Sequence, residues 1–132
     1  MKFNKFLVLV LIFLMSACQQ TSNNQKSVNF LNQKYSNSGF TLIYNDNFKK
    51  TKKLSKHIDN RSLLIFHKKL EKNSFVKITN PVNGKSIIAQ VISNKVKYSD
   101  FYNSVITSRI ASELLLDINE PYIDLVLISQ NS

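Results

Sequence analysis

The residues Asn83-Gly84-Lys85-Ser86 have the types that end a phosphate-binding loop: a glycine that lets backbone N–H groups approach an anion, a lysine that neutralises it, and a hydroxyl that holds a metal. Such a loop also needs a glycine five residues earlier and a helix afterwards. Position 79 is Thr79, and Ser86 opens the β-branched run SIIAQVI, so the segment reads as a hairpin turn. Gly84 would take a left-handed conformation there, which its missing Cβ makes cheap. The two histidines, His57 and His67, stand ten residues apart with no spare cysteine beside them, so no metal set is expected, and no cofactor. No glycine-flanked serine marks a nucleophile elbow. What remains is His67, an imidazole able to titrate near neutral pH or to brace a loop.

Of 132 residues, 18 are Lys or Arg and 8 are Asp or Glu, a formal charge of +10. Setting aside Lys2 and Lys5 leaves about +8, a balance that favours anionic partners such as lipid headgroups or cell-wall polymer. Almost all of the basic residues are lysine, as an AT-rich coding sequence would also give. No arginine cluster with interleaved aromatic residues is present, so nucleic acid is not an expected partner.

The elements that position these residues begin after a leader. Lys2 and Lys5 precede the apolar run Phe6 to Met15, and Ser16 and Ala17 place small residues before Cys18. The run is too short to cross roughly 30 Å of hydrocarbon as a helix. Residues 1–17 therefore read as a cleavable signal peptide, and the single-cysteine junction resembles that of bacterial lipoproteins, which implies lipidation of Cys18. Met15 stands where such junctions more often have leucine. Residues 18–38 read as the lipidated cysteine and a flexible, disordered tether. Residues 39–132 read as one domain with one modest core.

Within that domain the pattern is mainly β. Residues 39–45, GFTLIYN, read as a first strand, and SLLIFHK as a short buried one. Phe75, Lys77 and Thr79 alternate with Val76, Ile78 and Asn80, and with the turn and the following run they predict a hairpin. In SRIASELLLDI, Ile110, Ala111, Leu114 and Leu115 share one helical face, with Ser108 as the N-cap. Pro121 ends that helix, and YIDLVLI reads as a closing, largely buried strand. The expectation is a compact barrel with one short late helix.

The run FHKKLEKNSFVKITNPVNGKSIIAQV, followed by FYNSVITSRIASELLLDI and a final strand, resembles the rare lipoprotein A family. The most specific parts are the His-x-x-Leu before the hairpin, the hairpin itself and the helix SRIASELL. The resemblance implies a small six-stranded double-psi β-barrel that binds or cleaves peptidoglycan. Members with lytic transglycosylase activity carry a glutamate, a histidine and an aspartate. Counting without gaps, the histidine falls at His67, the glutamate at Lys56 and the aspartate at Ser93, with Asn94 and Lys95 replacing an arginine and a glycine. Asp59 keeps a neighbouring acidic position, and Thr107 stands near a second family aspartate.

Lytic cleavage needs an acid for the leaving oxygen and a base for the sugar hydroxyl, and acid–base catalysis contributes on the order of 10² to 10⁴ in rate. A serine and a lysine at those positions imply a barrel that keeps the scaffold and loses the chemistry. The expected substrate-binding residues are Tyr44, Ser93, Asn94 and Lys95, with Phe66, Tyr98, Phe101 and Tyr102 as further rings for stacking and Lys97 as a further cation. The alternatives are an active septal transglycosylase using Asp59 and His67, and a structural or interaction lipoprotein without glycan affinity. The resemblance implies a monomer, anchored through Cys18 at the periplasmic face of the outer membrane rather than the inner one, with peptidoglycan as partner.

Overall fold

The computed structural model describes residues 35–130; the leader, Cys18 and the tether as far as residue 34 lie outside the described residues. Seven strands form: β1 (Ser36–Phe40), β2 (Leu42–Ile43), β3 (Leu64–Phe66), β4 (Phe75–Thr79), β5 (Ser86–Ser93), β6 (Val105–Ile106) and β7 (Tyr122–Ser129). One helix, α1 (Ser108–Glu113), stands between β6 and β7, and a 3-10 turn covers Asp46–Phe48. The strands make one sheet in the order β1-β7-β4-β5-β3-β6-β2. β1 and β2 are its two edges, yet only Thr41 separates them in the chain. Six inter-strand gaps of about 4.8 Å would put flat edges about 29 Å apart, whereas one intervening residue spans about 7 Å. The sheet must therefore curl until its edges meet, and the mainly β barrel with one short helix is what the chain forms. The β2–β6 and β3–β5 ladders are parallel and the others antiparallel, the mixed pairing expected of a double-psi barrel.

The count is seven strands rather than six: the expected first strand is two, and Val105–Ile106 adds a short strand that the residue pattern does not announce. Thr41 is fully buried; its N–H donates to the Pro121 carbonyl (2.9 Å) and its hydroxyl meets Ser104 Oγ (2.9 Å), which pins the crossing point. The body also starts earlier than residue 39, since Ser36, Asn37 and Ser38 pair with Val126, Leu125 and Asp124 instead of extending the tether.

Alternation fills the barrel. Val76 and Ile78 of β4, Ala89 and Val91 of β5, and Ile123, Leu125 and Leu127 of β7 point inward and meet Ile110 and Leu114 of the helix region. β7 is thus buried on one face only: Tyr122 and Val126 are exposed. A second cluster, Tyr44, Leu54, Ile58, Phe66, Val96 and Val105, lies beneath the loops at the other end.

The helix is shorter than the apolar pattern suggested, and its N-cap is Thr107, not Ser108: the Thr107 hydroxyl accepts from Ile110 N at 3.2 Å. At its end, Leu116 N donates to Ala111 O and Leu115 N to Ser112 O, a Schellman closure that puts Leu115 at φ 50° and turns its side chain outward. The hairpin turn completes this end. Asn80 and Asn83 both donate through Nδ2 to the Leu114 carbonyl (3.0 and 3.1 Å). Gly84 takes φ 75°, and its N–H donates to Asn80 O at 2.8 Å. The segment that resembled a phosphate loop is a turn that caps a helix.

Candidate functional site

Three positions singled out in the sequence, Lys56, His67 and Ser93, come together. β5 ends at Ser93, whose carbonyl accepts from His67 N (3.2 Å) just after β3. Ser93 Oγ accepts from Lys56 Nζ (3.1 Å) and from Lys95 N (3.2 Å). An ammonium and a neutral hydroxyl thus meet at the end of β5. Ser93 is buried, Asn94 half-buried, and the Lys95 side chain exposed.

The His67 ring is engaged elsewhere. Nδ1 accepts from Lys69 N (3.1 Å) and Leu70 N (3.2 Å), closing the loop after β3. A nitrogen that accepts two N–H bonds carries no proton, so the neutral ring is protonated at Nε2. Burial, then the charge of Lys69, lowers its pKa to about 4. His67 is only 2% exposed, Tyr35 packs edge-on against it at 5.4 Å, and Nε2 has no hydrogen-bond partner.

Asp59 is not brought to His67. Its Oδ1 accepts from Arg61 N (3.0 Å), and no hydrogen bond or ion pair joins it to His67 among the described residues. Tyr44 is enclosed, contrary to a role in stacking on a sugar: it is 2% exposed, and its hydroxyl bonds to His57 Nδ1 at 2.6 Å. Phe66 is likewise core. Thr107, the N-cap, also donates to Ser62 O at 2.7 Å and so serves the frame. With His57 against Tyr44 and His67 under Tyr35, no group of three or more potential metal ligands forms among the described residues.

The accessible recess lies on the far side of His67. A cavity of about 400 Å³ is lined by Tyr35, Asn37, His67, Tyr98, Asp100 and Asn103, among others. Lys68 crosses its rim: Nζ sits 4.3 Å from the centre of the Tyr98 ring, donates to Tyr98 O, and pairs with Asp100 Oδ1 at 2.6 Å. That hydrogen bond and charge lower the Asp100 pKa, so the carboxylate stays ionised. Desolvation pushes the Tyr98 phenol up to about 12, and its hydroxyl, like His67 Nε2, is buried without a partner. Phe101, stacked on Phe40, and Tyr102 complete the wall. Chemically this is a small, aromatic-walled recess lined by residues with hydroxyl and amide groups, with one lysine–aspartate ion pair at its rim. Sequence reasoning missed Lys68 and Asp100, which are 32 residues apart and carry no local signal.

No protein-family model and no curated protein matches the chain. Among solved structures it is similar to the rationally designed mkDPBB_sym2 protein, with 10% identity, a TM-score of 0.48, and coverage of 71% of this chain and 100% of that one.

Proposed function

We propose that the barrel is a cell-envelope module, tethered through a lipid on Cys18, that binds peptidoglycan glycan strands in the recess beside Tyr98 without cleaving them. The observation that carries this reading is one aromatic-walled cavity lined by His67 and Tyr98, two residues whose Nε2–H and hydroxyl are buried without a partner. A buried donor left unpaired costs about 1–3 kcal/mol, which a ligand returning the bond offsets. Amino-sugar strands offer matching acetamido carbonyls and hydroxyls, with flat faces for Phe101 and Tyr102.

Binding without cleavage follows from the groups present. Asp100 is ionised and paired, so it is a poor acid; His67 has its basic nitrogen occupied by two backbone donors; and Lys56 and Ser93 supply no carboxyl. The outer membrane facing the periplasm is the proposed location.

The test is co-sedimentation of the full chain, in a neutral detergent, with purified sacculi, followed by chromatography of the supernatant for anhydro-muropeptides. Binding without release is expected, and Tyr98→Phe should weaken it. Release of anhydro-muropeptides would establish the transglycosylase reading instead, and a chain left in the supernatant would establish the interaction-protein reading.

A further inference from the structure

Beyond Tyr98 and Tyr102 the groove opens into a larger space of about 600 Å³, within the range of ligand pockets. It shares Tyr98, Phe101 and Tyr102 with the first recess, and Lys52, Lys53 and Lys97 line it as well, with no carboxylate contributing. The three lysines are placed by two loops that hold each other. Lys97 N donates to Ser55 Oγ at 3.0 Å, tying the chain after β5 to the loop before β3. In that loop Lys53 N donates to Phe48 O (2.9 Å) and Lys53 Nζ stands 5.2 Å from the Phe48 ring centre. Lys52 sits at φ 59°, a left-handed conformation that lysine adopts only at a cost.

The ion pairs among the described residues join Arg61 to Asp59, Lys68 to Asp100 and Arg109 to Glu113, so none neutralises these lysines. Like charges held on one wall, one of them on strained backbone, raise the question of what relieves them. A carboxylate brings one negative charge, whereas a phosphate monoester brings about 1.5 to 2 and three acceptor oxygens. Lysine ammonium groups suit it as point charges with three donors each. In the same cavity, aromatic side chains offer a surface for a ring.

We propose that this second cavity binds a phosphate monoester carried on a sugar ring, the phosphate between Lys52, Lys53 and Lys97 and the ring against Tyr98 and Tyr102. The site stands whether or not the neighbouring recess takes peptidoglycan, since its three lysines line this cavity and not that recess.

The test is calorimetric titration of the full chain, in neutral detergent at low salt, with glucose 6-phosphate, glucuronate and glycerol 3-phosphate. Glucose 6-phosphate should bind more tightly than glucuronate and weaken as salt rises. Lys52→Gly suits the left-handed backbone and therefore keeps the fold, and it should weaken glucose 6-phosphate about fivefold, as should Lys97→Gln. Glycerol 3-phosphate binding as tightly as glucose 6-phosphate would keep the phosphate site but assign it to a headgroup-like ligand without a ring. Equal affinity for glucuronate, or no change in either variant, would overturn the proposal. Sacculus binding in the co-sedimentation assay reports separately on the glycan recess.

Discussion

Acidification should destabilise this barrel through His67 before Asp100 contributes. The ring is neutral with its proton on Nε2, so a second proton has to go to Nδ1, where Lys69 N and Leu70 N already donate at 3.1 and 3.2 Å. Adding it breaks both bonds and places a charge in a 2% exposed site beside Lys69. The pKa falls from 6.5 unfolded to about 4 folded, a gap of about 2.5 units at about 1.36 kcal/mol each, or about 3 kcal/mol. Because the folded value is the lower one, this stability is complete above about pH 6.5 and is lost as pH falls toward 4. By about pH 4.5 some 2.5 kcal/mol, on the order of a quarter to a half of a small domain's stability, should be gone. Asp100 adds its own loss only below the ordinary carboxylate range, because Lys68 holds its pKa low. The assay is urea unfolding followed by far-UV circular dichroism at about pH 7.5 and about pH 4.5. His67→Asn keeps an acceptor where Nδ1 stood but does not titrate, so it should start lower and lose much less between the two. If wild type and His67→Asn lose the same stability, the reasoning is wrong.

Asn80→Ala should cost about 1–2 kcal/mol in urea unfolding at neutral pH, because Leu114 O loses one of its two amide donors and Val82 N loses its acceptor. Gly84→Ala should cost about 1 kcal/mol and no more, since the strain of φ 75° is the whole penalty and an added Cβ meets nothing within 4 Å. Ser93→Asp should be tolerated, because Lys56 Nζ stands ready to pair with it, yet muropeptide chromatography should show no release from sacculi, because His67 keeps its basic nitrogen on its own loop.

What was legible in the sequence was local. The hairpin declares itself because alternation in Phe75–Thr79 and the Asn-Gly turn act within a dozen residues; counting forward from it leads to Ser93 and counting back from His67 leads to Lys56, and the two do meet. What was hidden depends on partners far along the chain. Nothing in GFTLIYN reveals that it splits at Thr41, because the hydroxyl that anchors the split belongs to Ser104, 63 residues on. Leu115 keeps helical spacing in the sequence but leaves the helix, since Asn80 and Asn83 draw the Leu114 carbonyl into the hairpin turn. Tyr44 has the composition of a surface ring and the position of a core one, decided by His57. The orphaned Nε2 of His67 has no sequence signature, because it follows from which way the ring faces.

The sheet order has a kinetic corollary. β7 lies between β1 and β4, so the first strand of the body has only the last strand as its ladder neighbour. As the chain grows from its N-terminus, β1 waits unpaired for some eighty residues, until Tyr122–Ser129 appears. Contacts of such long range form slowly, because loop closure must precede them. A nascent chain of this kind can form its β4–β5 hairpin early but cannot close its barrel before Tyr122–Ser129 has been made.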